Sequence, residues 1–80
     1  MTENIDQANE WYEKGCNQKN SGLYDDAIKS FEKAIEYDPK NALYWFSKGD
    51  VEMTRNKNDE ALESFEKAIE YDPKNALYWF

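Results

Sequence analysis

Apolar side chains recur at every third or fourth position along most of the chain, and this spacing predicts α-helices. Over residues 24–37, an apolar stripe faces away from charged positions such as Lys29, Glu32 and Glu36. The stripe consists of Tyr24, Ala27, Ile28, Phe31, Ala34 and Ile35. The same phase returns over residues 59–71, at Ala61, Leu62, Phe65, Ala68 and Ile69. The pattern predicts two amphipathic helices, each with one buried and one solvated face.

Residues that favour turns separate the helical stretches. The segments 20–22 (Asn-Ser-Gly) and 56–58 (Asn-Lys-Asn) contain residues that accept left-handed dihedral angles. Each Asp-Pro-Lys-Asn segment, at 38–41 and at 72–75, is expected to end one helix and to cap the next with its asparagine. We therefore expect helices near residues 5–19, 24–37, 42–55 and 59–71, with a fifth beginning at 76.

The chain contains an internal repeat. The segment Ser30–Phe46 recurs without a change as Ser64–Phe80, which gives a period of 34 residues. Each unit contains a tryptophan, a glycine four residues later, and then an alanine, a phenylalanine, a second alanine and a proline at fixed spacing. These residues are Trp11, Gly15, Ala27, Phe31, Ala34 and Pro39 in the first unit, and Trp45, Gly49, Ala61, Phe65, Ala68 and Pro73 in the second.

This period and residue set resemble the tetratricopeptide repeat family, whose unit is a helix-turn-helix. The resemblance covers one repeat over 8–41, a second over 42–75 and the first five residues of a third, 76–80. It implies an all-α fold in which tandem antiparallel helix-turn-helix hairpins stack as a short right-handed α-solenoid. The whole chain, 1–80, is then a single repeat array.

The sequence departs from the commonest family pattern at a few positions. Lys14 and Lys48 stand where a leucine is frequent, and Gln18 and Glu52 stand where a tyrosine is frequent. Asn58 replaces the aromatic residue that the first unit has at the same place. We expect these changes to weaken the packing without changing the fold.

A glycine lies inside the first helix of each unit, at Gly15 and Gly49. A glycine in a helix costs ~1 kcal/mol relative to alanine, so its presence calls for a packing reason. The expected reason is close approach of the paired helix at Ala27 in the first unit and at Ala61 in the second.

Composition and charge narrow the function. The 10 Lys and Arg against 17 Asp and Glu give a net charge of −7, which repels nucleic-acid phosphates and acidic lipid surfaces. The chain has no histidine and one cysteine, which excludes a histidine-based catalytic dyad and an intramolecular disulfide. We therefore expect a cytoplasmic, non-enzymatic protein that binds neither nucleic acid nor membranes.

Few residues suggest a catalytic or metal-binding role. Cys16 could be a nucleophile, but without a histidine base a packing role is favoured. Asp25 with Asp26, and Asp59 with Glu60, could form a carboxylate dyad or bind a metal, but adjacent helix residues point apart and acids suit a helix start. No phosphate loop, dinucleotide fingerprint or zinc pattern occurs. We expect no catalytic residue, cofactor or metal.

The first helix of each unit carries a second stripe beside the one that faces its own hairpin. In the first unit this stripe is Asn9, Tyr12, Cys16 and Lys19, in the second it is Leu43, Phe46, Asp50 and Met53, and Glu13, Ser47 and Thr54 flank it. The resemblance implies that a peptide or a partner helix binds in a concave groove lined by this stripe. An aromatic stripe at helical spacing is also typical of a core, and both interpretations stay open for Tyr12, Phe46 and Met53.

The charges of this stripe restrict the ligand. Asp50 and Glu13 are acids and Lys19 is a single base, so the stripe favours a peptide with apolar side chains and a Lys or Arg. Family members that bind carboxylate-ended tails use Lys, Arg and Asn on this face. The matching positions here hold Tyr12, Cys16 and Ser47, so we predict that such a tail is not the ligand.

A second hypothesis is self-association. Residues 76–80 repeat the start of a helix and end in aromatic side chains. In this hypothesis Trp11 and its helix in one copy pack after Phe80 of another, or two such ends meet in a closed dimer. The residues involved are Trp11, Leu77, Tyr78, Trp79 and Phe80. The unbroken duplication is compatible with a recent duplication, a designed sequence or a piece of a longer array.

Overall fold

A computed structural model describes residues 2–74, and the side chains of residues 4–74. The described part forms four α-helices, which are α1 (Thr2–Asn20), α2 (Tyr24–Tyr37), α3 (Ala42–Thr54) and α4 (Asn58–Tyr71). Helix α1 packs against α2, α2 against α3, and α3 against α4. The predicted all-α fold of consecutive hairpins is confirmed. The fifth helix expected at 76 lies outside the described residues.

The two hairpin turns have the same geometry. Gly22 has a φ of 80° and Asn56, at the same place in the second unit, has a φ of 63°. In the first turn the Leu23 N–H donates to the Gln18 carbonyl at 2.8 Å, and in the second the Lys57 N–H donates to the Glu52 carbonyl at 2.8 Å. The predicted left-handed residues are therefore confirmed in both turns, and they allow the chain to reverse after α1 and after α3.

The link between the hairpins follows from its Asp-Pro-Lys-Asn sequence. Pro39 has no N–H and restricts the backbone of Asp38, so α2 ends at Tyr37. The Asn41 side chain accepts a hydrogen bond from the Leu43 N–H at 3.1 Å and caps α3 as predicted.

The core lies along both sides of α2. Ala27, Phe31 and Ala34 are fully buried. One apolar cluster joins Ala27, Ile28 and Phe31 to Val51 of α3. Another joins Ala8 of α1 and Ala34 of α2 to Tyr44 of α3. Helix α3 therefore packs against α2 as well as against α4.

The helical glycines were expected to allow close approach to Ala27 and Ala61, and this expectation is wrong, because the nearest side chains are phenylalanines. A Cβ added at Gly15 would lie 2.6 Å from Cε1 of Phe31, and one added at Gly49 would lie 2.8 Å from Cε1 of Phe65. The helix pair therefore closes over a phenylalanine ring, and the glycine is the small partner of a large side chain. Ala27 and Ala61 are buried but are not the nearest atoms.

Two of the unusual polar side chains, Gln18 and Glu52, form hydrogen bonds across their own hairpins, and the expected weakening of the packing stays a prediction. The Ser30 hydroxyl donates to Gln18 Oε1 at 2.5 Å, and at the same place in the second unit the Ser64 hydroxyl donates to Glu52 Oε1 at 2.7 Å. Lys48 forms an ion pair with Glu52 at 2.8 Å. A hydrogen bond therefore replaces the apolar contact that a tyrosine would make in these turns.

Among the described residues, no helix combines the length and the apolar character needed to cross a membrane.

Candidate peptide-binding surface

The sequence-predicted stripes of α1 and α3 lie side by side. Lys19 of α1 forms an ion pair with Asp50 of α3 at 2.8 Å. The Ser47 hydroxyl donates to the Tyr12 hydroxyl at 3.5 Å. These two contacts join the predicted stripes, which are together called the α1–α3 face. The name refers to the predicted residues Asn9, Tyr12, Glu13, Cys16, Lys19, Leu43, Phe46, Ser47, Asp50, Met53 and Thr54.

The two aromatic residues of this face serve the core as well. The Tyr12 ring centroid lies 5.6 Å from that of Phe31 and 5.1 Å from that of Tyr44. The Phe46 ring lies 5.6 Å from that of Phe65. Tyr12 and Phe46 are half-buried, and these ring contacts join both residues to the core.

The apolar groups that the face offers to solvent are Leu43 and Met53. Leu43 is 43% exposed and Met53 is 52% exposed. Their separation of ten positions on α3 corresponds to about 15 Å along the helix axis. A bound chain that touches both side chains must therefore follow most of the length of α3.

Cys16 is half-buried and packs against the cluster of Ala27, Ile28 and Phe31. It contributes a small apolar edge to the face. Asn9, Glu13 and Thr54 are exposed. The Thr54 hydroxyl donates to the Asp50 carbonyl of its own helix at 3.1 Å.

The charged centre of the face is the Lys19–Asp50 pair. The side chains are 41% and 45% exposed, so solvent screens their attraction. The hydrogen bond to Asp50 raises the pKa of the Lys19 ammonium group. Each charge is therefore already partly neutralised by the other, a detail that the sequence alone does not show.

Beneath the face, Tyr44 ties α3 to α1. Its hydroxyl donates to Asn9 Oδ1 at 2.5 Å. Burial raises the pKa of Tyr44, and burial also raises the pKa of Tyr12, whose ring stacks beside it. Both phenols are therefore neutral hydrogen-bonding groups at physiological pH.

Sequence reasoning missed Tyr44 and Val51, which are 1% and 0% exposed. They lie seven residues apart and form a third side of α3, directed at α2. A comparison of the two repeats could have identified them, because the same positions of α1 hold the polar and exposed residues Glu10 and Asn17. No helix of the described residues covers the side of α1 that carries Glu10 and Asn17, so apolar residues are not required there.

The residues predicted for self-association divide between two regions. Trp11 is half-buried in the cluster around Ala8 and Tyr44, with Lys14 Nζ 4.9 Å from its ring centroid. Leu77, Tyr78, Trp79 and Phe80 lie outside the described residues.

The two hairpins also carry equivalent shallow cavities away from the α1–α3 face. The one between α3 and α4 has a volume of about 280 Å³, and Trp45, Lys48 and Ser64 are among its lining residues. Its remaining walls mix Glu and Lys side chains. Within residues 2–74, no three His, Cys, Asp or Glu side chains gather closely enough to hold a metal ion.

These features define a helical-repeat protein: two hairpins follow one another with the same turn geometry, the same helix ends after α2 and α4, and equivalent internal contacts. A comparison with protein families matches the tetratricopeptide repeat over residues 12–76, and the chain belongs to that family. Comparison with curated proteins gave no match. Members of this family generally mediate protein–protein interaction.

Proposed function

We propose that the chain is an interaction module that binds an extended peptide or a partner helix on the α1–α3 face. The observation that carries the proposal is the arrangement of exposed Leu43 and Met53 on the same helix as Asp50, whose carboxylate is 45% exposed. Apolar anchors around a charged centre provide both burial and orientation for a ligand.

The geometry selects a class of ligand. An extended chain rises about 3.3 Å per residue, so side chains four or five positions apart match the ~15 Å between the two apolar anchors. Asp50 and the exposed Glu13 attract a cation, and the net charge of −7 repels acidic peptides. The ligand is therefore an apolar peptide with a Lys or Arg between its anchors, and not an acidic carboxyl-terminal tail.

The role proposed for Asp50, binding a cation of the ligand, is tested by removing the Lys19 ammonium group that pairs with it. Because Lys19 competes with a ligand cation for Asp50, Lys19→Met should raise the affinity for Lys- or Arg-containing peptides severalfold. Peptides selected from an array would be titrated by fluorescence anisotropy, with the same peptides carrying Gln in place of the cation as controls. An unchanged or lower affinity for the basic peptides would contradict the assignment of Asp50.

We also propose that the module is non-enzymatic and works in the cytoplasm without binding nucleic acid or membranes. The net charge of −7 supports the exclusion of nucleic acid and acidic lipid surfaces, and the lack of histidine supports the non-enzymatic assignment. Retention on a heparin or phosphate-lipid column at physiological salt would overturn the charge argument.

A second candidate function is self-association at the far side of α4. Its support is Leu62, which is 59% exposed, while Ile28 at the same place in α2 is 7% exposed because α3 covers it. The exposed Glu10 and Asn17 on α1 weigh against a head-to-tail stack, since α3 uses Tyr44 and Val51 at these positions. We therefore rank self-association below peptide binding.

The two candidates are separated by light scattering over a hundredfold dilution. The full chain is compared with a chain that ends at Asn75. Association that is lost in the shorter chain would favour self-association through residues 76–80, and a monomer at every concentration would remove this candidate.

A further inference from the structure

The cavities of the two hairpins share a tryptophan wall but differ in the position of the lysine beside it. In the first hairpin, formed by α1 and α2, Lys14 Nζ lies 4.9 Å from the Trp11 ring centroid. In the second, formed by α3 and α4, Lys48 Nζ lies 5.8 Å from the Trp45 ring centroid, close to the ~6 Å limit of a cation–π contact. The Trp45 ring therefore has a weaker cation partner in its own hairpin than the Trp11 ring has.

The position of Lys48 follows from Glu52, whose counterpart in the first hairpin is the neutral Gln18. The Lys48 ammonium group lies 2.8 Å from the Glu52 carboxylate and donates to the Ser64 hydroxyl at 3.3 Å. Glu52 is 3% exposed, so these contacts hold Lys48 towards the inside of the hairpin. The outer face of the Trp45 ring is thereby left to another cation.

The charges that line the second cavity also favour a cation. Two lysines and three glutamates line it, which gives a net charge of −1, whereas three lysines and three acids line the first cavity. Lys29 of the first cavity has Glu63 as its counterpart in the second. Within residues 4–74, Glu63 and Glu66 form no ion pair. Two carboxylates beside the tryptophan are therefore available to a ligand.

An arginine side chain matches both features of this cavity. Its planar guanidinium group stacks on aromatic faces and presents a fork of N–H donors that suits carboxylates. Glu63 and Glu66 are exposed and lie three positions apart on α4, so they share one side of the helix. Lys14 over Trp11 is an example, within the same chain, of a cation at the equivalent ring.

The site remains accessible when a further helix follows the hairpin. Residues of α1 and α2 alone line the first cavity, which is open although α3 packs against α2. A helix that follows a hairpin in this array therefore does not cover the cavity. Trp45 and Lys48 also lie on a different side of α3 from Asp50, so the cavity is separate from the α1–α3 face.

We propose that the cavity between α3 and α4 binds an arginine side chain of a partner protein. The guanidinium group lies on the Trp45 ring and donates its N–H groups to Glu63 and Glu66. The first hairpin does not bind arginine in this way, because Lys14 lies over its tryptophan and Lys29 replaces the glutamate. The inference does not depend on the ligand proposed for the α1–α3 face.

The experiment is an NMR titration of the isotope-labelled full chain with a Gly-Arg-Gly peptide whose ends are blocked. The indole N–H signals of Trp45 and Trp11 are assigned with Trp45→Phe and Trp11→Phe. We expect the Trp45 signal and the backbone signals of Glu63 and Glu66 to shift at millimolar peptide, and the Trp11 signal to shift at least about threefold less. The same peptide with citrulline, which is neutral and of similar shape, should cause no shift at Trp45.

Exchanging the residues that differ between the cavities provides a matched control. Glu52→Gln with Glu63→Lys gives the second cavity the residues of the first, and should weaken arginine binding at Trp45 about fivefold or more. Gln18→Glu with Lys29→Glu makes the opposite exchange and should create an arginine-dependent shift at Trp11.

The exposed substitution Glu63→Lys is also measured alone, so that the test does not depend on replacing the buried Glu52. It should weaken binding about threefold or more. Equal shifts of Trp11 and Trp45, an affinity that Glu63→Lys leaves unchanged, or an equal response to citrulline would overturn the proposal. Shifts confined to the neighbours of Asp50 would place the arginine on the α1–α3 face and would also overturn it.

Discussion

Single residues in this chain have different roles in the two repeats because their neighbours differ. Tyr44 is buried between α1 and α2, and its counterpart Glu10 is exposed. Ile28 is covered by α3, and its counterpart Leu62 is exposed. The positions that vary between the repeats therefore indicate which sides of each helix have a neighbour.

The hydrogen bond between Tyr44 and Asn9 should stabilise the junction of the hairpins. We expect Tyr44→Phe to lower the free energy of unfolding by about 1 kcal/mol, because the ring stays in place and one partly buried hydrogen bond is lost. Chemical denaturation of Tyr44→Phe, Asn9→Ala and the double variant measures this. If the double variant loses the sum of the two single effects, the bond contributes nothing.

The helical glycines are predicted to resist replacement by the better helix former. Gly49→Ala should lower the free energy of unfolding by about 1–2 kcal/mol, because overpacking against Phe65 outweighs the ~1 kcal/mol gain in helix propensity. Asn17→Ala, at an exposed position of α1, is the control and should stabilise. A stabilising Gly49→Ala would show that the Phe65 ring moves aside without cost.

At the scale of the helices, the boundaries were readable from the sequence. The predicted range 24–37 is the observed α2, since Gly22 and Pro39 bracket it. The predicted 42–55 differs from α3 by one residue. Helix α1 begins at Thr2, earlier than the predicted 5, because no residue near its start acts as a clear breaker.

What could not be read from the sequence is which helix each side of α3 meets. One face of α3 packs on α4 and another on α2, so Tyr44 and Val51 belong to the core without belonging to the stripe that identifies a hairpin. The residues of the α1–α3 face were predicted from helical spacing. The pairing of Lys19 with Asp50 depends on the distance between two helices that no local spacing determines.

The hydrogen bonds Ser30–Gln18 and Ser64–Glu52 should contribute different amounts to the stability of the two repeats. Ser64→Ala should cost about 1–3 kcal/mol of unfolding free energy, because it removes a hydrogen bond from Glu52, a carboxylate that is 3% exposed. Ser30→Ala is the matched variant and should cost less, since Gln18 is neutral and half-buried. Thermal unfolding of both variants gives the comparison, and a larger loss for Ser30→Ala would contradict it.

The whole molecule should lose stability in alkali. The folded-state pKa values of Tyr12 and Tyr44 are raised, mainly by burial, and that of Lys19 is raised, mainly by Asp50. A raised folded-state pKa contributes stability that is present below the unfolded-state pKa and is lost as the pH rises through the folded value. The unperturbed values are 10.0 for tyrosine and 10.5 for lysine, so the loss begins above about pH 10.

Urea unfolding between pH 8 and pH 11 measures this dependence. The free energy of unfolding should fall across the upper part of the range, and less steeply in Tyr44→Phe, which removes one of the three groups. An equally steep fall in that variant would show that Tyr44 does not contribute.

The central claim concerns where the molecule binds its partner, and two exposed apolar residues offer a matched comparison. Met53 lies on the α1–α3 face and is 52% exposed, while Leu62 lies on α4 and is 59% exposed. Replacing either with asparagine removes a similar apolar surface from the middle or end of a helix without touching the buried core.

The most direct test is the affinity of a selected peptide for the Met53→Asn and Leu62→Asn variants, measured by calorimetric titration. If the peptide covers the α1–α3 face, Met53→Asn should weaken binding about tenfold or more, since burying a methionine side chain contributes about 1.5–3 kcal/mol. Leu62→Asn should change the affinity less than twofold. Loss of binding in Leu62→Asn with full affinity in Met53→Asn would place the ligand on α4 and contradict the proposed function.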